Sequence, residues 1–251
     1  MRGPMPQRVL IVGATSAIAA EVASLYAARG ARLHLLARSA PKLEALVQRL
    51  AAASPSSGLS DFGELARAEQ LVREALEQLG GLDLVLIAHG ELGDQEQSER
   101  SFDAAEATFR TNLLSVVAFL VPLANVLEAQ GSGCIGVITS VAGDRGRPRN
   151  YTYGAAKGAL NIYLQGLRSR LFKSGVRVVT LKLGPVATPM TVNHTKTALF
   201  AQPAAVAASI VAALDAGVAE QYVPSFWSAI MPIVKHTPER VFQLLPFLSG
   251  R

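Results

Sequence analysis

The sequence is short of cysteine, of charge and of long apolar runs, and each shortage excludes a class of protein. Cys134 is the one cysteine among 251 residues, so no intramolecular disulfide can form, and no Cys/His cluster indicates a metal site. The longest apolar run, residues 113–127, is too short to span a bilayer, which favours a buried helix. No signal peptide is visible. We therefore expect a cytoplasmic protein without a metal.

Charged residues make up only 17% of the chain, but their balance is positive. The net charge of +5 suits an anionic partner. Lysines and arginines do not occur in runs and are not interleaved with aromatic residues, so we expect no nucleic-acid partner. An anionic cofactor or substrate accounts for the excess positive charge instead.

Short apolar runs alternate with longer helical patterns along most of the chain. Half of the residues are hydrophobic, which is enough to bury the core of one large domain. The alternation predicts an α/β fold, a single doubly wound Rossmann-type parallel sheet with helices on both faces. Strands are predicted at residues 8–12, 32–36, 82–88, 134–139, 177–183 and 221–223, and helices at 15–29, 41–53, 65–79, 101–130, 153–173 and 203–216.

Two stretches of the chain are less regular. A third strand belongs near residues 56–61, but serine, proline and glycine are frequent there, so a loop is the alternative. After residue 224 the apolar and aromatic residues are interrupted by Pro232, Pro238 and Pro246. We interpret residues 1–224 as the main domain and residues 225–251 as a short apolar helical extension of the same domain.

A turn of small residues follows the first strand and opens the first helix. In a dinucleotide-binding fold, such a turn brings backbone N–H groups and a helix N-terminus up to a pyrophosphate. Ala17 and Ala19 stand where glycines are commoner, so a purely structural turn remains the alternative. The residues expected to contact the cofactor here are Gly13, Thr15, Ser16, Ala17 and Ile18.

The end of the second strand indicates which cofactor is bound. A carboxylate at this point would hold the ribose hydroxyls of NAD, but the sequence has Ala37 followed by Arg38 and Ser39. The Arg38 guanidinium can pair with a 2′-phosphate, and Ser39 can add a contact. The pattern favours NADP(H), the alternative being a solvated loop arginine.

Three polar residues near the middle of the chain have the spacing of a proton-transfer site. Ser140 follows a predicted strand, Tyr153 comes thirteen residues later, and Lys157 lies one helical turn beyond it. A tyrosine normally titrates near pH 10, and a nearby ammonium group favours its phenolate. Ser140 can orient a reacting oxygen, and the amide of Asn112 can hold a water that links Lys157 to solvent. The pattern predicts acid/base catalysis by Tyr153.

These motifs together resemble the short-chain dehydrogenase/reductase family over nearly the full length of the chain. The resemblance implies a catalytic tetrad, an NADP(H) site that includes Tyr153 and Lys157, and a homodimer or homotetramer joined through helices 101–130 and 153–173. The sequence departs from the family pattern at Ala17 and Ala19, in lacking the Asn-Asn pair before Gly90, and at Leu183, where a proline is usual. Further positions that match cofactor-binding residues of the family are Asp61, Phe62, Ala88, Gly90, Gly184, Val186 and Thr188.

Three local stretches, residues 89–94, 140–147 and 222–246, resemble one branch of the family, the reductase partner of the decaprenylphosphoryl-ribose 2′-epimerase. The resemblance implies a keto sugar on a lipid phosphate as substrate. Independently, Arg145, Arg147 and Arg149 lie between Ser140 and Tyr153 and are candidates for binding an anionic substrate, solvated loop arginines being the alternative. His194 is a further candidate substrate contact.

Other functions stay open at the level of sequence. A broad carbonyl or acyl-chain reductase competes with the lipid-linked sugar, and a non-catalytic dinucleotide sensor competes with an enzyme, although the intact tetrad argues against the sensor. The apolar extension can cover a lipid-linked substrate or touch a membrane surface, but packing on its own domain or on a neighbouring subunit is the favoured interpretation.

Overall fold

The computed structural model describes residues 7–191 and 199–245, and in these ranges the strands form one parallel sheet. The strand order is 3-2-1-4-5-6-7, which reverses direction between the first and fourth strands. Such a reversal opens a crevice at the carboxyl ends of the strands, where ligands of doubly wound folds bind. The strands are β1 Arg8–Val12, β2 Arg32–Ala37, β3 Ser56–Leu59, β4 Leu84–Ile87, β5 Gly133–Ser140, β6 Val176–Leu183 and β7 Glu220–Val223.

Helices cover both faces of the sheet and enclose two hydrophobic cores. Helices α1, α2 and α8 bury apolar residues on one face, and α3, α6 and α7 do so on the other. This confirms the predicted fold class. The helices are α1 Ala17–Ala28, α2 Ala40–Arg49, α3 Ala68–Leu79, α4 Gln95–Ser98, α5 Phe102–Phe109, α6 Ser115–Gln130, α7 Tyr151–Leu171, α8 Pro203–Ala216, α9 Trp227–His236 and α10 Glu239–Leu244.

The predicted helix 101–130 is interrupted at its middle. A π-helical turn, Arg110–Leu114, separates α5 from α6. The whole stretch Phe102–Gln130 is long and apolar enough to cross a membrane. It is longer than the apolar run 113–127 seen in the sequence. However, Phe119, Leu120 and Leu123 are buried in the core beside α3 and α7, so the apolar character is that of a core helix.

The weakest predicted strand is present. Ser56 to Leu59 pair with His34 to Ala37 of β2 at the edge of the sheet, so the loop alternative is wrong for these four residues. An edge strand needs only one hydrogen-bonded neighbour, and backbone pairing holds it although its side chains are small. Helix α4 was not predicted; it is a single turn capped by the Asp94 side chain, which accepts from the backbone N–H of Gln97 at 3.0 Å.

The C-terminal helices α9 and α10 pack on the domain next to the end of β5. Trp227, Met231, Val234 and Phe242 form a small core with Val141, which lies in the 3-10 turn Val141–Gly143 directly after β5. The apolar extension, as far as residue 245, therefore covers the segment that follows Ser140. Its last residues, 246–251, lie outside the described ranges.

A buried group of charges joins this same segment to the last two strands. The Lys182 ammonium lies 2.8 Å from Asp144 and 2.8 Å from Glu220, and the Tyr222 hydroxyl donates to Asp144 at 2.6 Å. The side chains of Lys182 and Asp144 are almost fully excluded from solvent, so each charge depends on the other for its stability. The loop after β5 is thus attached both to the sheet and to the C-terminal helices.

Candidate active site

The four residues of the predicted tetrad lie at the carboxyl ends of β4 and β5. Ser140 is the last residue of β5, Tyr153 and Lys157 lie on the first turns of α7, and Asn112 lies in the π-turn. The Lys157 Nζ atom is 5.8 Å from the centre of the Tyr153 ring and donates to the carbonyl oxygen of Ile138 at 3.3 Å. Three separate segments therefore supply one site.

The side chains of Asn112 and Lys157 both approach Gly90, which lies just after β4. A Cβ atom placed on Gly90 would lie 2.8 Å from Asn112 Oδ1 and 3.3 Å from Lys157 Nζ. Any larger residue would push these two side chains away from the end of the strand. The structure thus brings the Asn112 amide and the Lys157 ammonium to the same place, as the proposed water link between them requires.

The amide of Asn112 is held on both sides. Its Oδ1 atom accepts from the backbone N–H of Glu91 at 3.1 Å, and its Nδ2 atom donates to the carbonyl oxygen of Thr108 at 3.0 Å. The residue is fully buried. Single π-turns within longer helices often occur at functional sites, because the extra residue redirects a side chain.

Ser140 and Tyr153 are linked through the turn that follows β5. The Ser140 hydroxyl accepts from the backbone N–H of Ala142 at 3.1 Å and donates to the carbonyl oxygen of Leu183 at 3.4 Å. Gly143 rests directly on α7, since a Cβ atom there would lie 2.7 Å from the backbone nitrogen of Gly158. The turn and the helix thus hold Ser140 at a set position relative to Tyr153.

Burial changes the proton affinity of both residues on α7. Burial raises the pKa of the Tyr153 hydroxyl to about 12, and the adjacent Ser140 hydroxyl opposes this rise. Burial lowers the pKa of the Lys157 ammonium to about 8. Tyr153 therefore carries its proton at neutral pH in this structure, and Lys157 titrates close to neutrality.

The turn between β1 and α1 packs closely against the segment that follows β4. Gly13 has a φ of +84°, and a Cβ atom there would lie 2.6 Å from the backbone nitrogen of His89. Ser16 caps α1 by accepting from the backbone N–H of Ala19 at 3.2 Å. Ala17 begins the helix, and Thr15 lies in the turn itself. Gly13 therefore has no room for a side chain, and it lets the turn pack directly against the segment after β4. The small residues and the N-terminus of α1 that follow are the features a pyrophosphate-binding turn needs.

The other predicted cofactor residues lie at the start of α1 and in the segments that follow β2, β3 and β4. Arg38 is exposed directly after β2 and has no hydrogen-bond or ion-pair partner in ranges 7–191 and 199–245. Ser39 precedes α2, and its side chain makes no capping hydrogen bond. Asp61 accepts from the backbone N–H of Gly63 at 2.9 Å, and the buried Phe62 ring stacks on His89 at 4.4 Å. The remaining residues of this set are Ile18, at the start of α1, and Ala88, whose N–H donates to Val12.

The segment after β6 lies on the side of the C-terminal helices. A Cβ atom on Gly184 would overlap the indole ring of Trp227, so the glycine permits the close approach of α9. Val186 forms an isolated bridge with Ala201, and the backbone N–H of Thr188 donates to the Thr191 hydroxyl at 3.2 Å. The indole nitrogen of Trp227 is buried without a hydrogen-bond partner among the described residues.

The structure assigns different surroundings to the two candidate substrate arginines. The Arg145 guanidinium donates to the carbonyl oxygens of Val234, Lys235 and Thr237 at the end of α9, and it pairs with Glu239 at 2.7 Å. All of these contacts hold the extension, since an arginine near a helix C-terminus has carbonyl oxygens to bind, and they favour a structural role for Arg145 over the predicted contact with substrate.

Arg147 has no such contacts. Its Nε atom is buried without a hydrogen-bond partner within the part of the chain that the structure describes. Burial, together with the neighbouring Arg149 charge, lowers the pKa of this guanidinium. His194 lies outside the described residues. Arg147 therefore has a buried donor without a partner among the described residues, whereas the contacts of Arg145 are with the extension.

Sequence reasoning missed the polar partner of the His89 ring. The Nε2 atom of His89 lies 2.8 Å from the Ser115 hydroxyl at the start of α6. Neither residue carried a signal of its own in the sequence. The role of Trp227 beside Gly184 was likewise hidden among the apolar residues of the extension.

Comparison with known proteins places the chain among proteins of one family. The family model described as short chain dehydrogenase matches residues 7–199. An uncharacterized oxidoreductase from the mprA 5′ region of Streptomyces coelicolor is 35% identical over 246 residues, which cover 97% of each chain. An uncharacterized oxidoreductase of Mycobacterium tuberculosis H37Rv is 32% identical over 241 residues, covering 95% of this chain and 96% of that protein.

Solved structures share the fold. Levodione reductase aligns with a TM-score of 0.80 at 24% identity, covering 89% of this chain and 98% of that one. A variant of actinorhodin polyketide ketoreductase with NADPH aligns with a TM-score of 0.78 at 23% identity, covering 87% of this chain and 97% of that one. At these identities the similarity concerns the fold alone.

Replacing Lys157 by methionine should stabilise the protein while it abolishes turnover. Below pH 8 the folded protein bears the cost of a buried ammonium group, whereas between about pH 8 and its ordinary pKa of 10.5 the folded state releases the proton and the unfolded state keeps it. We expect the free energy of unfolding of Lys157→Met at pH 7 to exceed that of the native protein by roughly 1–3 kcal/mol. The difference should shrink as the pH rises to 10.5.

Urea unfolding between pH 7 and 10.5 measures this effect. The exposed Lys173, replaced by methionine, is the matched control and should show no such pH dependence. A Lys157→Met variant that is less stable than the native protein at pH 7 would show that the ammonium group is not buried as described.

Proposed function

The chain belongs to the short-chain dehydrogenase family, and from this premise we propose that it is an NADP(H)-dependent reductase of a carbonyl substrate with Tyr153 as its catalytic acid and base. As members of this family do, it is an oxidoreductase that uses a nicotinamide dinucleotide. The observation that carries the proposal is the convergence of Tyr153, Lys157, Ser140 and Asn112 at the carboxyl ends of β4 and β5.

Each residue of the tetrad has a separate task in carbonyl reduction. The nicotinamide, when bound, supplies the hydride. Tyr153 donates its proton to the carbonyl oxygen, and the Lys157 charge stabilises the phenolate that remains. The Ser140 hydroxyl, whose bond to Leu183 is long at 3.4 Å, turns to donate to the reacting oxygen. Asn112 holds the water through which Lys157 exchanges protons with solvent.

The cofactor is proposed to lie along the crevice from the β1–α1 turn to the segment after β6. The β1–α1 turn would hold its pyrophosphate and the residues after β2 its 2′-phosphate. Its adenine would lie by β3 and its nicotinamide after β6. The residues proposed to contact it are Gly13, Thr15, Ser16, Ala17, Ile18, Arg38, Ser39, Asp61, Phe62, Ala88, Gly90, Tyr153, Lys157, Gly184, Val186 and Thr188.

The preference for NADP(H) rests on Arg38. Replacing Arg38 by glutamine should weaken NADPH binding about tenfold to hundredfold and leave NADH binding unchanged, because only NADPH carries the 2′-phosphate. The single tryptophan, Trp227, lies beside Gly184 and provides a fluorescence signal for both titrations. Arg73→Gln on α3 changes the net charge equally and serves as control. An unaltered NADPH affinity in Arg38→Gln, or tighter NADH than NADPH binding in the native protein, would refute the assignment.

The substrate is proposed to be a carbonyl compound with an anionic group, with a keto sugar on a lipid phosphate as the specific candidate. The unpartnered Nε atom of Arg147, in the loop between Ser140 and Tyr153, supports the anionic group. The stretches that resemble the epimerase-partner reductases support the sugar. A broad carbonyl or acyl-chain reductase is the outcome to expect if substrates without an anionic group react equally well.

Arg147 and Arg145 form a natural pair for testing the anion site. With NADPH and matched keto substrates that differ only in a phosphate group, Arg147→Ala should raise KM for the phosphorylated member by about tenfold or more and leave the neutral member unaffected. Arg145→Ala should lower the thermal stability of the extension without changing this KM ratio. A KM ratio in Arg147→Ala equal to that of the native enzyme would contradict the anion site.

Assembly and location stay predictions. Val121 on α6 and Ile162 on α7 are exposed apolar residues on the two helices expected to join a homodimer or homotetramer. Ile233 and Leu244 of the extension are exposed as well and suit contact with a membrane surface. Sedimentation of the native chain tests the oligomer, and a monomer would exclude it. Liposome flotation tests the membrane contact, and a protein that does not bind the liposomes would exclude it. A cytoplasmic location is proposed together with them.

A further inference from the structure

The imidazole of His89 is buried, and His89 directly precedes Gly90, the residue that the Asn112 and Lys157 side chains approach. Its ring stacks on Phe62 with centroids 4.4 Å apart and meets the edge of Phe119 at 6.1 Å. Its Nε2 atom lies 2.8 Å from the Ser115 hydroxyl, the first residue of α6 after the π-turn. The ring therefore joins the end of β4 to the helix that carries Asn112.

The direction of this hydrogen bond follows from the second bond of the serine. The Ser115 hydroxyl donates its one proton to the carbonyl oxygen of Thr111 at 2.7 Å, so it accepts from the N–H of His89 Nε2. The Nδ1 atom is then unprotonated, in agreement with its having no hydrogen-bond partner among the described residues. Burial lowers the pKa of His89 to about 3, and the charges of Lys157 and Arg38 add to this, so the neutral ring persists at any assay pH.

A second bond attaches the same stretch of chain to the π-turn. The backbone N–H of Glu91, two residues after His89, donates to Asn112 Oδ1 at 3.1 Å. The π-turn is thus held at its centre by residue 91 and at its end by residue 89. A π-turn carries one residue more than an α-helical turn, and such turns often occur at functional sites. The bonds from residues 89 and 91 fix the π-turn relative to the end of β4.

We propose that His89 and Ser115 are positioning residues that hold the π-turn in place and thereby keep the Asn112 amide beside Lys157. The proposal rests on the catalytic role proposed for Asn112 and names the contact that maintains it. Neither His89 nor Ser115 touches the reacting atoms. Their contribution is exerted through the backbone between Thr111 and Ser115.

Four variants separate this role from simple packing. Ser115→Ala removes the hydrogen bond and leaves the stack of His89 on Phe62 in place. In His89→Gln the side-chain amide nitrogen can reach the position of Nε2. In His89→Asn the side chain is too short, and its amide nitrogen falls near the position of Nδ1. The Ser115→Ala/His89→Asn double variant tests whether both changes break the same bond.

Turnover with NADPH should fall about tenfold in Ser115→Ala and in His89→Asn, because each loses one buried hydrogen bond. In Ser115→Ala the affinity for NADPH, read from Trp227 fluorescence, should stay within about twofold of the native value, since kcat and not cofactor binding is affected. His89→Gln should retain turnover within about threefold, and the double variant should be no slower than either single one.

Asn112→Ala is the reference that distinguishes the two proposals. If Asn112→Ala is as active as the native enzyme, the proposed role of Asn112 fails. The positioning pair is then judged by the side-chain amide resonance of Asn112 in ¹⁵N NMR, identified by its loss in Asn112→Ala. That resonance should move in His89→Asn and Ser115→Ala and remain in His89→Gln. If Asn112→Ala is slow but Ser115→Ala and His89→Asn are as fast as the native enzyme, or if His89→Gln is no better than His89→Asn, the pair has no positioning role.

Discussion

The site depends on one energetically unfavourable feature, the burial of the Lys157 ammonium group at the end of β5. Taking this charge out of water lowers its pKa to about 8, and the groups around it must offset part of that cost. The carbonyl oxygen of Ile138 accepts from it directly, and Gly90 leaves the space in which the Asn112 oxygen approaches. A glycine after β4 and the Asn112 side chain of the π-turn thus lie close to this buried cation.

A second requirement is that Ser140 stays beside α7. The loop after β5 is fastened at several points: Gly143 rests on α7, Asp144 pairs with Lys182 of β6, and Arg145 holds the end of α9. The C-terminal extension is thereby part of the frame of the site rather than a separate appendage. Arg145 is used in this frame, whereas the Nε atom of Arg147 has no hydrogen-bond partner among the described residues.

Much of the fold and part of the site followed from local patterns. The apolar runs at residues 8–12, 134–139 and 177–183 all became strands, because continuous apolar residues are stable where both faces of a parallel sheet are covered. The spacing of Tyr153 and Lys157 placed both on one face of α7. The π-turn at Asn112 was not foreseen, since residues 110–114 have the apolar periodicity of an ordinary helix. The structural role of Arg145 was hidden for a similar reason: its partners lie some ninety positions later in the chain.

The sequence by itself determined the order of the main strands and helices along the chain, the set of candidate proton-transfer residues and the resemblance to one family. These properties are encoded by neighbours within a few positions, where the periodicity of the backbone dictates which side chains share a face. Only the tertiary structure decided the partners of each polar group: Ser115 for His89, the end of α9 for Arg145, and, among the described residues, none for the Nε atom of Arg147. Such pairings arise where crossovers bring distant segments together, so the buried charge of Lys157 acquires its surroundings only when the sheet has formed.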